Sequence, residues 1–184
     1  MLSAVWLVVA VVVAVVLSMW VTFTLTRLDR LHARVDAAQA ALDAQLVRRA
    51  AALQHLAEGP DSGAPDPRRP YYDKVAQDAL ATRAADTARE PIENAVGRAI
   101  AELSQLPLPS EFAAELHEAA ARVRIARRFY NDAVRDTRAL RERRLPRVFH
   151  MAGHRGMPEF FDIDDTLPSP PLPQPTAAAE HDRP

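Results

Sequence analysis

The 184-residue chain contains no cysteine, which excludes a disulfide framework, a Cys-ligated zinc or iron–sulfur site and a thiol nucleophile. Glycine is nearly as scarce. The five present are read as scattered through loops and cannot build a phosphate cradle, and no G-x-x-x-x-G-K-[ST], G-x-G-x-x-G or G-x-S-x-G occurs. Aromatic residues make up 6% of the chain, and Lys74 is the single lysine among 23 basic residues. With 24 acidic residues the net charge is −1, which excludes a strongly basic nucleic-acid binder at the level of the whole chain. These absences set the expectation of a protein that is not an enzyme, with no cofactor, no metal centre, no small-molecule substrate and no nucleic-acid partner. An Ala-rich, Gly-poor, aromatic-poor chain favours helices over sandwiches and barrels.

What the chain does have is a long apolar run at its N-terminus. Between Met1 and Thr26 there is no charged side chain, no glycine and no proline. A helix rises about 1.5 Å per residue, so roughly 20 apolar residues cross the hydrocarbon core of a bilayer. Trp6 and Trp20 lie near the two ends of the run, where amphipathic rings favour the headgroup level. A cleavable signal peptide is the alternative, but the run lacks a basic start, is longer than a signal core and precedes no A-x-A site. Residues 1–26 are therefore read as an uncleaved single-pass anchor. Arg27, Arg30 and Arg34 follow it directly, and the positive-inside rule puts the short N-terminus outside and the remainder in the cytoplasm.

Nothing breaks a helix between Leu2 and Glu58. Leu28, Leu31, Val35, Ala38, Leu42, Leu46, Leu53 and Leu56 recur at helical spacing, so the anchor is expected to continue into a cytoplasmic amphipathic helix. Four prolines between positions 60 and 70 mark a loop. Further helices are expected over 71–89 and 91–106, with Pro91 either opening a new helix or kinking one long one. Ser110 then suits an N-cap for a helix to about Arg144, with Glu111 and Glu115 at its positive end and Arg141, Arg143 and Arg144 at its negative end. Its stripe is Phe112, Leu116, Ala119, Val123, Ala126, Tyr130, Ala133, Thr137 and Leu140. Rods of about 50 Å joined by short connections predict an all-α fold: an antiparallel bundle of three to four long helices over 27–165. Residues 166–184 hold six prolines and no aromatic and read as a disordered tail.

Three stretches resemble the LemA family. Leu42-Asp43-Ala44-Gln45-Leu46-Val47-Arg48-Arg49 is similar to that family's I-D-V-Q-L-Q-R-R segment, and Glu93-Asn94 with Gly97-Arg98 to its E-N-x-L-x-x-A-L-x-R stretch. The nine residues Ala126-Arg127-Arg128-Phe129-Tyr130-Asn131-Asp132-Ala133-Val134 resemble A-R-R-F-Y-N-D-A-V, followed here by Pro146, Phe149 and Phe160-Phe161. The likeness covers roughly residues 25–162. It departs where the family's Trp before I-D-V-Q is Gln39 and where its F-G-F is Val148-Phe149-His150. The resemblance implies a divergent, membrane-anchored helical bundle and transfers no catalytic residue.

Few constellations point to chemistry. His150 and His154, with Asp162, Asp164 and Asp165, form the one group with metal-ligand character, and H-M-A-G-H lacks the Glu of H-E-x-x-H. Asp43 and Arg49 do not share a helix face, so a buried polar cluster there needs partners from another helix. Tyr130 is read as a core aromatic, and Asn131 as hydrogen-bonded across the bundle. Between Arg122 and Arg147 ten arginines face three acids, an excess of +7. Most of these form a solvated, ion-paired face, while Arg138, Arg141, Arg143, Arg144 and Arg147 are candidates for anionic lipid headgroups. The functional expectation is a non-catalytic adaptor or scaffold whose partners are the bilayer and another protein, with an oligomer open. The alternative is a bitopic coiled-coil component of an envelope or division assembly.

Overall fold

The computed structural model describes residues 2–58, 67–82, 89–106, 108–142 and 155–164. It is all-helical, with four helices in chain order: α1 (Leu2–Glu58), α2 (Arg69–Ala81), α3 (Arg89–Leu103) and α4 (Ser110–Arg141). The loop over 59–66, the last expected turn of the fourth helix at 143–144 and the tail 166–184 lie outside the described residues.

α1 begins apolar and ends amphipathic, as its sequence dictates. Side chains 4–19 are exposed throughout, so the helix has one segment long and apolar enough to cross a membrane that is not buried within the chain. Beyond it the stripe turns inward, burying Leu28, Val35, Leu42, Leu46, Leu53 and Leu56. Thr22 and Thr26 each donate a side-chain hydrogen bond to the carbonyl four residues earlier, which keeps these hydroxyls satisfied within the helix.

The middle of the chain departs from expectation in an instructive way. The second helix ends at Ala81, well before Arg89, with Thr82 extended at its C-cap. α3 starts at Arg89 and carries Pro91 in its first turn, where a missing N–H breaks no helical bond. Of the two expected roles, Pro91 therefore takes the first: it sits in the opening turn of a new helix and kinks no long one. At α4 the Ala113 amide donates to Pro109 O (3.1 Å), so Pro109 holds the cap position and Ser110 the first helical one, a shift of one residue.

The chain divides into two compact units, residues 1–48 with 121–162 and residues 49–120 with 163–184. In the second, the end of α1, α2, α3 and the start of α4 enclose Leu53, Tyr72, Ala76, Val96, Ile100 and Leu116. α2 and α3 lie antiparallel, with Arg68 beside Glu102 at one end and Arg89 beside Ala79 at the other. In the first unit α1 and α4 run antiparallel, with Arg34 paired to Asp136 at 2.9 Å, and bury Leu28, Val35, Leu42, Val123, Tyr130, Val134 and Thr137.

Candidate functional site

Two groups of polar side chains stand out, one in each unit. In the unit of residues 49–120, Glu93 on α3 is fully buried between two buried guanidiniums. Arg49 Nη2 on α1 donates to Glu93 Oε2 at 2.6 Å and to the Glu93 carbonyl at 2.9 Å. Arg89 Nε stands 2.9 Å from Glu93 Oε1, one turn away on the same helix. Buried charge is costly unless it is paired and hydrogen-bonded. The fold answers it with backbone. Arg89 Nη1 donates to the carbonyls of Ala79 and Thr82 at the C-terminal end of α2, the end whose aligned dipoles carry about half a negative charge. The cluster therefore ties α1, α2 and α3 together. The sequence marks Arg49 and Glu93, and the second helix expected for Arg49 is α3; it does not mark Arg89.

The second group lies on α4. An extended segment, residues 155–164, is fastened by side chains that project from the helix. Tyr130 Oη donates to Glu159 O at 2.8 Å. Asn131 makes a reciprocal pair, its Nδ2 donating to Phe161 O and its Oδ1 accepting from the Phe161 amide, each at 3.0 Å. Arg138 donates to Pro158 O at 3.2 Å and stacks 5.4 Å over the Phe160 ring. Arg141 donates to the carbonyls of Arg155 and Gly156. Arg127 lies 3.6 Å from the Asp162 carboxylate, and Arg155 returns to Asp36 at 3.3 Å. Burial, reinforced by Glu159, pushes the Tyr130 phenol upward, so it remains a neutral donor.

In the other unit the continuation of this strap meets α3. Ile163 is buried, and the Asp164 amide donates to Asn94 Oδ1 at 2.8 Å. Gly97 lies inside α3, not in a loop as the sequence suggests, and a Cβ there would stand 3.3 Å from Asp164 O. A mid-helix glycine costs about 1 kcal/mol relative to alanine. The close approach of the strap backbone is the physical reason for it here, and it is the sequence signal that marks where the strap passes.

The motif residues therefore do three different things. Arg49, Glu93, Asn94, Arg127, Tyr130 and Asn131 hold structure together, and Asn131 bonds to the strap rather than to another helix. Leu46 is buried, while Asp43 and Gln45 are half-buried beside it. Arg48, Arg128, Phe129 and Asp132 are exposed, Asp132 pairing with Arg135 at 2.6 Å. Of the five lipid candidates, Arg138 and Arg141 are engaged with the strap, which weakens their case for headgroups, and Arg143, Arg144 and Arg147 lie outside the described residues. So do His150, His154 and Asp165. Among the described residues no three His, Asp or Glu side chains converge as a metal site.

Burial lowers the pKa of one further group, His32 on α1, with Arg141 and Arg155 adding to the effect and Asp36 and Asp29 opposing it. Its Nε2 is buried without a hydrogen-bond partner.

No family model matches the chain, and no curated protein or solved structure is significantly similar to it.

Proposed function

We propose that this chain is a single-pass membrane protein and a divergent LemA-like scaffold, with its helical region on the cytoplasmic side and a non-catalytic, adaptor-type role. The observation that carries this reading is the two-part character of α1. Its first turns are apolar and exposed on every side, a surface that water does not favour and lipid does. Without interruption the same helix becomes an ordinary amphipathic core element from Leu28 onward. Such a helix couples whatever binds the helical region rigidly to the bilayer, with no flexible linker between them. Arg27, Arg30 and Arg34 at the junction support the inward orientation. The polar groups described above are used for fastening the chain to itself, which favours a scaffold over a catalyst.

Fractionation tests the anchoring. The full chain is expected in the membrane pellet after alkaline carbonate washing, released only by detergent, with an intact mass that includes residues 1–26. Release by carbonate, or a mature chain that starts beyond the apolar run, would replace the anchor with a peripheral or secreted protein.

A further inference from the structure

We propose that the open flank of the α1–α4 pair, from Arg27 to Gln45 on α1, is closed by the same flank of a second copy of this chain. The two-fold axis would run along the helices. Among the described residues the unit of 1–48 and 121–162 has two helices, and one side of the pair is occupied by the strap, which Arg155 ties to Asp36. On the open side two cavities lie between α1 and α4. One, of about 380 Å³, includes Arg27, Arg34 and Asp136; the other, of about 340 Å³, includes Ala38, Ala41, Ile125 and Phe129.

The residues on this flank are spaced as a helix-packing seam. On α1 they fall at 27, 31, 34, 38, 41 and 45, and on α4 at 122, 125, 129, 132, 136 and 139. These alternating steps of three and four keep one face turned to a neighbour over about 27 Å. Among the described residues Ile125 and Phe129 are 53% and 64% exposed, an aliphatic and an aromatic side chain one turn apart on a helix surface.

The occupant follows from the flank being complementary to itself. Its α1 half is small and basic, with Ala38 and Ala41 beside Arg27 and Arg34. Its α4 half is bulky, with Ile125 and Phe129, and carries Asp136 and the Arg135-paired Asp132 at the height of Arg34 and Ala38, with Arg122 at the far end beside Gln45. The Arg34–Asp136 pair fixes these two halves at the same height along the axis. A two-fold axis parallel to the helices sets α1 of one copy against α4 of the other, height for height. Phe129 and Ile125 then enter the space over Ala38 and Ala41 of the second copy, and the two Arg34–Asp136 pairs meet as an alternating quartet of charges. The result is a four-helix arrangement with antiparallel neighbours. That both copies point the same way rests on the anchoring reading, since α1 would insert both into one membrane.

The test uses the full chain in its membrane and the absence of native cysteine. Ala41→Cys on one tagged copy is co-expressed with Ile125→Cys on a differently tagged copy, leaving Phe129 in place. Mild oxidation is expected to give the mixed disulfide in high yield and either variant alone little homodimer, because like helices stand diagonally apart. Phe129→Glu, at an exposed site that leaves the fold intact, is expected to cut the mixed product at least about tenfold. Sedimentation in detergent is expected to show a dimer for the natural chain and a monomer for Phe129→Glu. Chain that stays in the membrane pellet yet sediments as a monomer would overturn the dimer while leaving the anchoring intact. Chain recovered in the soluble fraction would instead remove the anchoring reading and with it the parallel two-fold. A dominant 41-to-41 product, or protection of the Ile125→Cys thiol by an unrelated protein, would also overturn the pairing.

Discussion

Around Glu93 three helices meet, and the buried charges are answered by groups from α1, α2 and α3. Around Tyr130 and Asn131 two helices meet among the described residues, and the polar groups of α4 reach out to the backbone of an extended strap. The Glu93 unit gains its specificity from a buried charge cluster with fixed geometry, Arg49–Glu93–Arg89, capped on the α2 carbonyls. The Tyr130 unit gains it from bonds to main-chain atoms, which any sequence would present. The contrast teaches that the same motif chemistry, Arg with Asn and Glu on helices, closes a core in one unit and holds an irregular segment in the other.

The largest expected effect breaks the charge cluster. Glu93→Ala leaves two guanidiniums buried without their carboxylate, a loss of about 3–5 kcal/mol. Urea denaturation of the full chain in detergent, followed by circular dichroism, should show it as a large fall in midpoint. A midpoint within error of the natural chain would mean that water reaches the cluster and the charges are not held as described.

Asn131→Ala removes both bonds to Phe161 and should cost about 1–3 kcal/mol. Its effect should be local. Hydrogen exchange is expected to accelerate at the amides of residues 159–163 while those of α3 are unchanged; acceleration throughout both units would show that Asn131 supports the helices themselves.

Gly97→Ala sharpens the comparison because two terms oppose each other. Helix propensity favours alanine by about 1 kcal/mol, and the new Cβ crowds Asp164 O at 3.3 Å. The net change in stability is expected to stay within about 0.5 kcal/mol of zero, with faster exchange at the Asp164 amide. A clear gain in stability with no change at Asp164 would mean that the strap does not lie against α3.

The smallest effect is one of pH. His32 is held below its ordinary 6.5 chiefly by burial. The folded chain therefore takes up its proton later than the unfolded chain as pH falls, so stability is constant from this source above about 6.5 and declines below it. His32→Leu should flatten the part of the decline that the natural chain shows just below about pH 6.5. An unchanged slope would assign the decline to other groups.

Much of this fold was legible from spacing. The unbroken start of α1 and the inward stripes of α1 and α4 follow from apolar periodicity, which reports burial directly, while the count of helices stays between three and four because Pro91 fits either a new first turn or a kink. The strap was not legible, because an extended segment held through its carbonyls leaves no period in its own residues. Its traces lie on the helices that receive it, in Asn131 and Gly97, each a poor helix former placed mid-helix. Arg89 was equally hidden. Its role depends on reaching the end of α2, and α2 ends at Ala81 without a glycine or proline to announce it.

The most direct test of the central claim, an anchor with the helical region on the cytoplasmic side, is topology. Ala179→Cys places the only thiol in the C-terminal tail. Intact cells treated with a membrane-impermeant maleimide should leave it unlabelled, and permeabilised cells should label it fully. Labelling of intact cells would contradict the account and move the helices, with any partner they hold, to the opposite face of the membrane.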